Sequence, residues 1–306
     1  VDAQTAESLL NFAEEAVPRY RGREARAVLG QLEAKYGDLL AAIQWFIDEG
    51  RTDEALRLAS SLAHFWTGTK RLVEGSLWFE RVLEAPGGEA AHRGQALFDV
   101  GLLAFWIGND ERASMLHNRA LEIGRQSRDP TVTALALTGL ARIALRTTGI
   151  PEARRLCQEA LAVTEGTADR SGRSNAIHVL GVAAQMAGDF LEARELMNAR
   201  IALGREMGNL ATVGYESGNL SMVERQLGNL ERADVLAREA LEIYYQRDDE
   251  WAIPLGVSGI AAIATERGEF ERAATLVGAA ESMMDAAGMD WPPDERVHYE
   301  RSVATL

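Results

Sequence analysis

The chain has 306 residues, a formal net charge of −14 and 47% apolar side chains. One compact core rarely grows past about 250–300 residues, so the length points to two domains or an elongated repeat architecture. With 46 Asp and Glu against 32 Lys and Arg, the chain as a whole lacks the basic footprint that direct nucleic-acid binding requires.

Ala, Leu, Glu and Arg dominate, prolines number seven, and runs of Val, Ile and Thr are nearly absent. These are the choices of a helical protein, with little from which to build strands. Cys157 is the single cysteine, so no internal disulfide forms and a reducing, cytoplasmic setting is expected. No apolar run reaches the roughly 18–20 residues that span a bilayer, and no membrane partner is expected. The start, Val1-Asp2-Ala3-Gln4, has no basic n-region and no apolar h-region, unlike a signal peptide. It has no initiator Met and enters a helical pattern at once, which suggests a fragment of a longer protein.

Residues 1–87 read as a helical segment that caps or leads into a solenoid. Leu32–Ile47 and Glu54–Trp66 have amphipathic spacing, with a stop and a cap expected in Gly50-Arg51-Thr52-Asp53. Pro86-Gly87-Gly88 is the clearest loop and the best boundary.

Residues 88–287 repeat. Ala113, Ala153, Ala193, Ala233 and Ala273 recur every 40 residues, each followed three places on by Leu116, Leu156, Leu196, Leu236 or Leu276. Seven places on stand Ala120, Ala160, Ala240 and Ala280, with Arg200 as the exception. A glycine precedes the key Ala by five residues at Gly108, Gly188, Gly228 and Gly268, and comes one place late at Gly149. Before each glycine lies a first helix marked by Val100, Leu140, Leu180, Leu220 or Ile260 and then a small residue. Ala104, Ala144, Ala184 and Ala264 follow, with Glu224 breaking the pattern. Glycine stops the first helix, and Asn109, Asp189 and Asn229 are placed to cap the second. No such pair buries its own apolar face, so the expected fold is all-α: five antiparallel pairs stacked into a solenoid with a period of about 40 residues. Residues 288–306 form an expected C-terminal cap.

This pattern resembles the tetratricopeptide repeat, with Ala160, Gly181, Gly188 and Ala193 where that family prefers Gly or Ala. The familiar period is 34 residues, and the surplus is expected between pairs, at Arg125–Thr131 and Glu165–Arg173. The resemblance implies a right-handed superhelix. A second resemblance is carried by Leu32-Glu33, Tyr36, Asp38-Leu39, Ala41-Ala42-Ile43 and Trp45, then Leu56-Arg57-Leu58-Ala59, Phe65-Trp66, Glu74-Gly75 and Trp78-Phe79. The tail adds Leu276–Glu281, Trp291-Pro292-Pro293, Arg296 and Tyr299-Glu300. Together these are similar to the helical region of bacterial STAND-type (NB-ARC-like) ATPase transcriptional regulators. Tyr36 departs from that pattern, where relatives more often carry an acidic residue or His.

Catalytic signatures are missing. The chain has no phosphate loop, no Gly-x-Ser-x-Gly elbow and no His-Glu-x-x-His, and His64, His92, His117, His178 and His298 are scattered. No enzyme activity, cofactor or metal is expected. Cys157 reads as a small core residue.

In tetratricopeptide solenoids the first helices line the concave face. Carried over by position, that face holds Phe98, Leu102, Phe105 and Trp106; Thr138, Arg142, Leu145 and Arg146; His178, Gln185 and Met186; Tyr215, Arg225 and Gln226; and Ser258, Thr265 and Glu266. Arg142 and Arg146 could fork a carboxylate or phosphate. The alternatives stay open: the aromatics as core, the arginines as partners of Glu on neighbouring helices, His178 as a satisfied polar residue. The expected role is a sensor arm that binds a peptide, protein or small effector and acts on its own upstream ATPase. A free-standing scaffold or adaptor is the alternative.

Overall fold

The computed structural model describes residues 1–286, 289–291, 296, 299–300 and 303–305. Of the tail motif, Pro292 and Pro293 lie outside the described residues, as does His298. The described chain is helical and falls into two compact units, Val1–Tyr20 with Ala27–Ala187, and Arg21–Arg26 with Gly188–Leu306.

The first unit opens with α1 (Ala3–Arg21) and α2 (Ala25–Ala34), apart from their residues within Arg21–Arg26, and with α3 (Tyr36–Asp48), α4 (Thr52–Gly68) and α5 (Leu72–Glu84). The stretch Leu32–Ile47, which the spacing predicts as one helix, divides at Lys35 into α2 and α3. Thr52 does not cap α4: its hydroxyl donates to the Pro86 carbonyl at 2.7 Å, and Arg51 occupies the cap position without a side-chain bond to the helix backbone. Of the aromatic residues of the second resemblance, Tyr36, Phe65, Trp66 and Phe79 pack together. Trp66 is fully buried, donates from Nε1 to the Tyr36 hydroxyl at 2.8 Å and meets the Phe79 ring edge-on at 5.4 Å. Gly75 stands where the repeats carry their key alanine because a Cβ there would come within 2.7 Å of the Trp66 indole.

The unit continues through α6 (Ala90–Ile107), α7 (Asp110–Ser127), α8 (Pro130–Arg146), α9 (Ile150–Thr164) and α10 (Arg170–Met186). The second unit holds α11 (Phe190–Glu206), α12 (Leu210–Gln226), α13 (Leu230–Arg247), α14 (Ala252–Glu266) and α15 (Phe270–Ala286). Within each unit, from α3 onward, successive helices pack as antiparallel neighbours joined by short turns. The five key alanines, Ala113 to Ala273, are all fully buried. A methyl group is what lets two helix backbones approach to the short end of the usual 8–10 Å spacing.

The first helices end where expected. Gly108, Gly188, Gly228 and Gly268 have φ between 76° and 87°, the left-handed stop that side chains resist. Asn109 and Asp189 cap the next helices, accepting from the backbone N–H of Arg112 and Glu192. Asn229 does not cap: its side-chain amide donates to Glu224 at 2.8 Å instead. The surplus over the familiar repeat length is only partly in loops. Arg125 lies inside α7, which runs to Ser127, so the helix itself is longer; the stretch after α9, from Glu165 to Asp169, is a true loop. No helix among the described residues is long and apolar enough to cross a membrane.

Candidate ligand-binding face

The first helices of the first unit carry the expected row with unequal exposure. On α6, Phe98 and Phe105 are each only 7% exposed, whereas Trp106 is 46% exposed. Phe98 packs on the His117 ring at 5.4 Å, and Trp106 stands edge-on to Phe105 at the same separation. The Arg146 guanidinium lies 3.7 Å over the Phe105 ring, and its Nη1 meets both the Phe105 carbonyl and Asp110 at 3.3 Å. Phe105, Trp106 and Arg146 therefore form one cluster at the end of α6 and α8. The cation of that cluster has an internal carboxylate facing it, half-exposed and therefore weak.

Arg142, one turn back on α8, is half-buried, and its charge reaches inward to His117 and Cys157. Leu102 and Leu145 are half-buried, as are His178 and Gln185 on α10, and Met186 is 56% exposed. Thr138 is fully buried, and its hydroxyl is turned onto the Leu135 carbonyl at 2.8 Å. Of the expected row in this unit, Leu102, Trp106, Leu145 and Met186 keep apolar surface exposed, and Arg142, Arg146, His178 and Gln185 keep polar surface exposed.

In the second unit the row is more closed. The Tyr215 hydroxyl donates to Asp249 at 2.5 Å, and its ring sits against Tyr244 and Trp251. Burial and the adjacent carboxylate hold its phenol protonated well above the ordinary tyrosine range. Arg225 bonds Glu266 through Nε at 3.1 Å and Nη2 at 2.5 Å, and its side chain is 6% exposed. Ser258 and Thr265 are buried. Gln226 and Glu266 remain exposed.

Two features lie off the predicted row. A cleft of about 320 Å³ opens between α7, α8 and α9, lined by Leu121, Leu140 and Leu156. The pairs Arg125–Glu159 and Arg155–Glu152 stand at its edge. The second is His117, 1% exposed between Gly101 and Gly139, where an added Cβ would come within 2.6 Å of its ring. Its Nδ1 has no hydrogen-bond partner, and burial, aided by Arg142, pushes its pKa down to about 3. The sequence held a signal for it: one repeat on, the same place is taken by buried Cys157, then by Met197. A histidine in a slot shared by such residues is a core histidine.

A tetratricopeptide-repeat family model matches residues 218–246, from within α12 into α13. The chain carries a tetratricopeptide-repeat region. Proteins of Mycobacterium tuberculosis and Mycobacterium bovis, provisionally named HTH-type transcriptional regulators, are 32% identical over 120 residues. That match takes in 36% of this chain and 14% of theirs, so the chain spans a small part of the relatives it matches. Among solved structures, a Rap protein in complex with Competence and Sporulation Factor is similar with a TM-score of 0.61 at 13% identity, covering 92% of this chain and 77% of that one. A tetratricopeptide-repeat protein from Parabacteroides merdae is similar with a TM-score of 0.55 at 17% identity, covering 98% of this chain and all of the other. At such identities the likeness speaks to the repeat fold alone.

Proposed function

We propose that this tetratricopeptide-repeat region is a non-catalytic binding module, the cytoplasmic sensor arm of a larger signalling ATPase or transcriptional regulator. It binds a peptide, a protein or a small effector across the row of first helices. The observation that carries this reading is the apolar surface that Leu102, Trp106, Leu145 and Met186 keep exposed. These are half-buried or exposed side chains on three successive first helices, and Ile107 at the end of α6 is exposed as well. Arg142, His178 and Gln185 supply the few polar contacts that fix orientation in such sites. The kinship with named regulators supports the regulatory part. The similar Rap protein, seen in complex with Competence and Sporulation Factor, is an instance of this repeat fold holding a bound factor. Residues 1–87 serve as the lead-in cap, 88–287 as the binding array and 288–306 as the closing cap.

The test uses a displayed library of random peptides, with selected binders measured by calorimetry. Trp106→Ala combined with Leu145→Ala is expected to weaken the selected peptides at least tenfold, while Met115→Ala on α7 leaves affinity unchanged. Among acidic peptides, Arg142→Ala is expected to weaken binding further. If Met115→Ala matters and the first-helix changes do not, the reading is wrong.

A further inference from the structure

Between residues 200 and 224 the second unit replaces small or apolar core residues with polar ones. Arg200 stands where the other repeats bury Ala120, Ala160, Ala240 and Ala280. Glu216 stands in the place of Ala96, Ala136 and Ala176, and Glu224 in that of Ala104, Ala144, Ala184 and Ala264, all buried. Ser217 takes the place of Leu97, Leu137, Ile177 and Val257. All four polar residues are themselves buried, with both glutamates at 0% exposure.

They hold α12 on two sides. Toward α11, Arg200 pairs with Glu216, and Arg194 reaches Glu224 at 3.0 Å. Toward α13, Arg232 meets the same Glu224 at 2.8 Å, Ser217 donates to Glu239 at 3.4 Å, and Ser221 donates to the Ala233 carbonyl at 2.8 Å. The equivalent faces of α8 and α14 are lined chiefly by Ala, Leu, Ile and Val.

The two kinds of contact differ in what opening does to them. An apolar contact that opens exposes surface that water solvates poorly. A buried ion pair that opens recovers the hydration that burial removed, which offsets much of the lost attraction. Water is therefore a better substitute for the contacts of α12 than for those of any purely apolar pair.

We infer that α12 is the opening seam of the second unit. In that opening the Arg200–Glu216 and Glu224–Arg194/Arg232 pairs exchange one another for water while the apolar helix pairs stay closed. Local openings of this kind are the low-stability end of a protein's motions and the source from which regulated movements are drawn. Because α12 also carries Tyr215, Arg225 and Gln226, a ligand preferring one state of α12 would shift the balance between the two. That consequence rests on the proposed binding row; the opening does not, and is tested without ligand.

The experiment is native-state amide hydrogen exchange on the full chain, read helix by helix by mass spectrometry. Interior amides of α12, corrected for intrinsic rates, are expected to exchange at least tenfold faster than those of α8. Equal or slower exchange in α12 overturns the proposal. The variant Arg200→Ala/Glu216→Ala/Glu224→Ala, which restores the repeat's own alanines, is expected to bring α12 at least threefold closer to α8. An unchanged difference in a variant of normal helicity would show that the polar layer is not its cause, and would also overturn the proposal. The wild-type comparison needs no variant, so it decides the matter even where the triple variant does not fold.

Discussion

His117 is the residue whose surroundings make the sharpest demand. Buried among Phe98, Gly101 and Gly139, it stays neutral in the fold, with its pKa lowered from 6.5 to about 3. An unfolded chain takes up a proton there near pH 6.5, so between that value and about 3 the unfolded state binds more protons. Stability is then full above pH 6.5 and falls as the solution is acidified. The loss is about 2 kcal/mol at pH 5 from this group alone. Urea unfolding at pH 7 and pH 5 should show that difference, and His117→Met, which copies Met197, should shrink it to the share left by other groups. A difference that survives the substitution intact would assign the acid sensitivity elsewhere. The sequence could have exposed this residue by its slot in the repeat, but not the closeness of two glycines brought in from α6 and α8.

At the scale of the helix, punctuation was the most legible part. Gly108, Gly188, Gly228 and Gly268 end first helices because their φ is positive, a conformation readable from residue type and period together. Asp129 was not singled out from the sequence, yet it accepts from the N–H groups of Thr131 and Val132 at 2.9 and 3.1 Å, with Pro130 opening α8 behind it. Asp129→Ala is expected to cost about 1 kcal/mol in chemical denaturation, the usual worth of an N-cap. A change within error would mean that another donor or water takes over the cap. Asn229 shows the limit of such reading: the residue type suits a cap, but its amide N–H donates to the buried Glu224 carboxylate, and in that orientation its oxygen accepts from no backbone N–H of α13. The Leu32–Ile47 stretch shows another limit, since an apolar period continues across the break at Lys35 and gives no sign of it.

For the whole molecule, the kinship with regulators of which the match covers 14% carries a direct expectation. The intact mass of the native gene product, isolated from its host, should lie far above 33.4 kDa. A native mass near that value would favour the free-standing scaffold over the sensor arm.

The period of 40 and the chain of small residues that marks it were determined by the sequence alone. Repeats must each satisfy the same packing, so the same residue type returns at the same place, and the all-α fold follows from that. Which of the row's side chains face outward was decided only by tertiary structure. Phe105 and Trp106 are adjacent in the chain, yet one lies under Arg146 and the other stays exposed. Arg200 and Glu224 looked like lapses in a pattern until folding set each against a partner of opposite charge. A side chain's exposure and its partner depend on what other helices bring to it, and a single sequence records its own residues but not the distances between them.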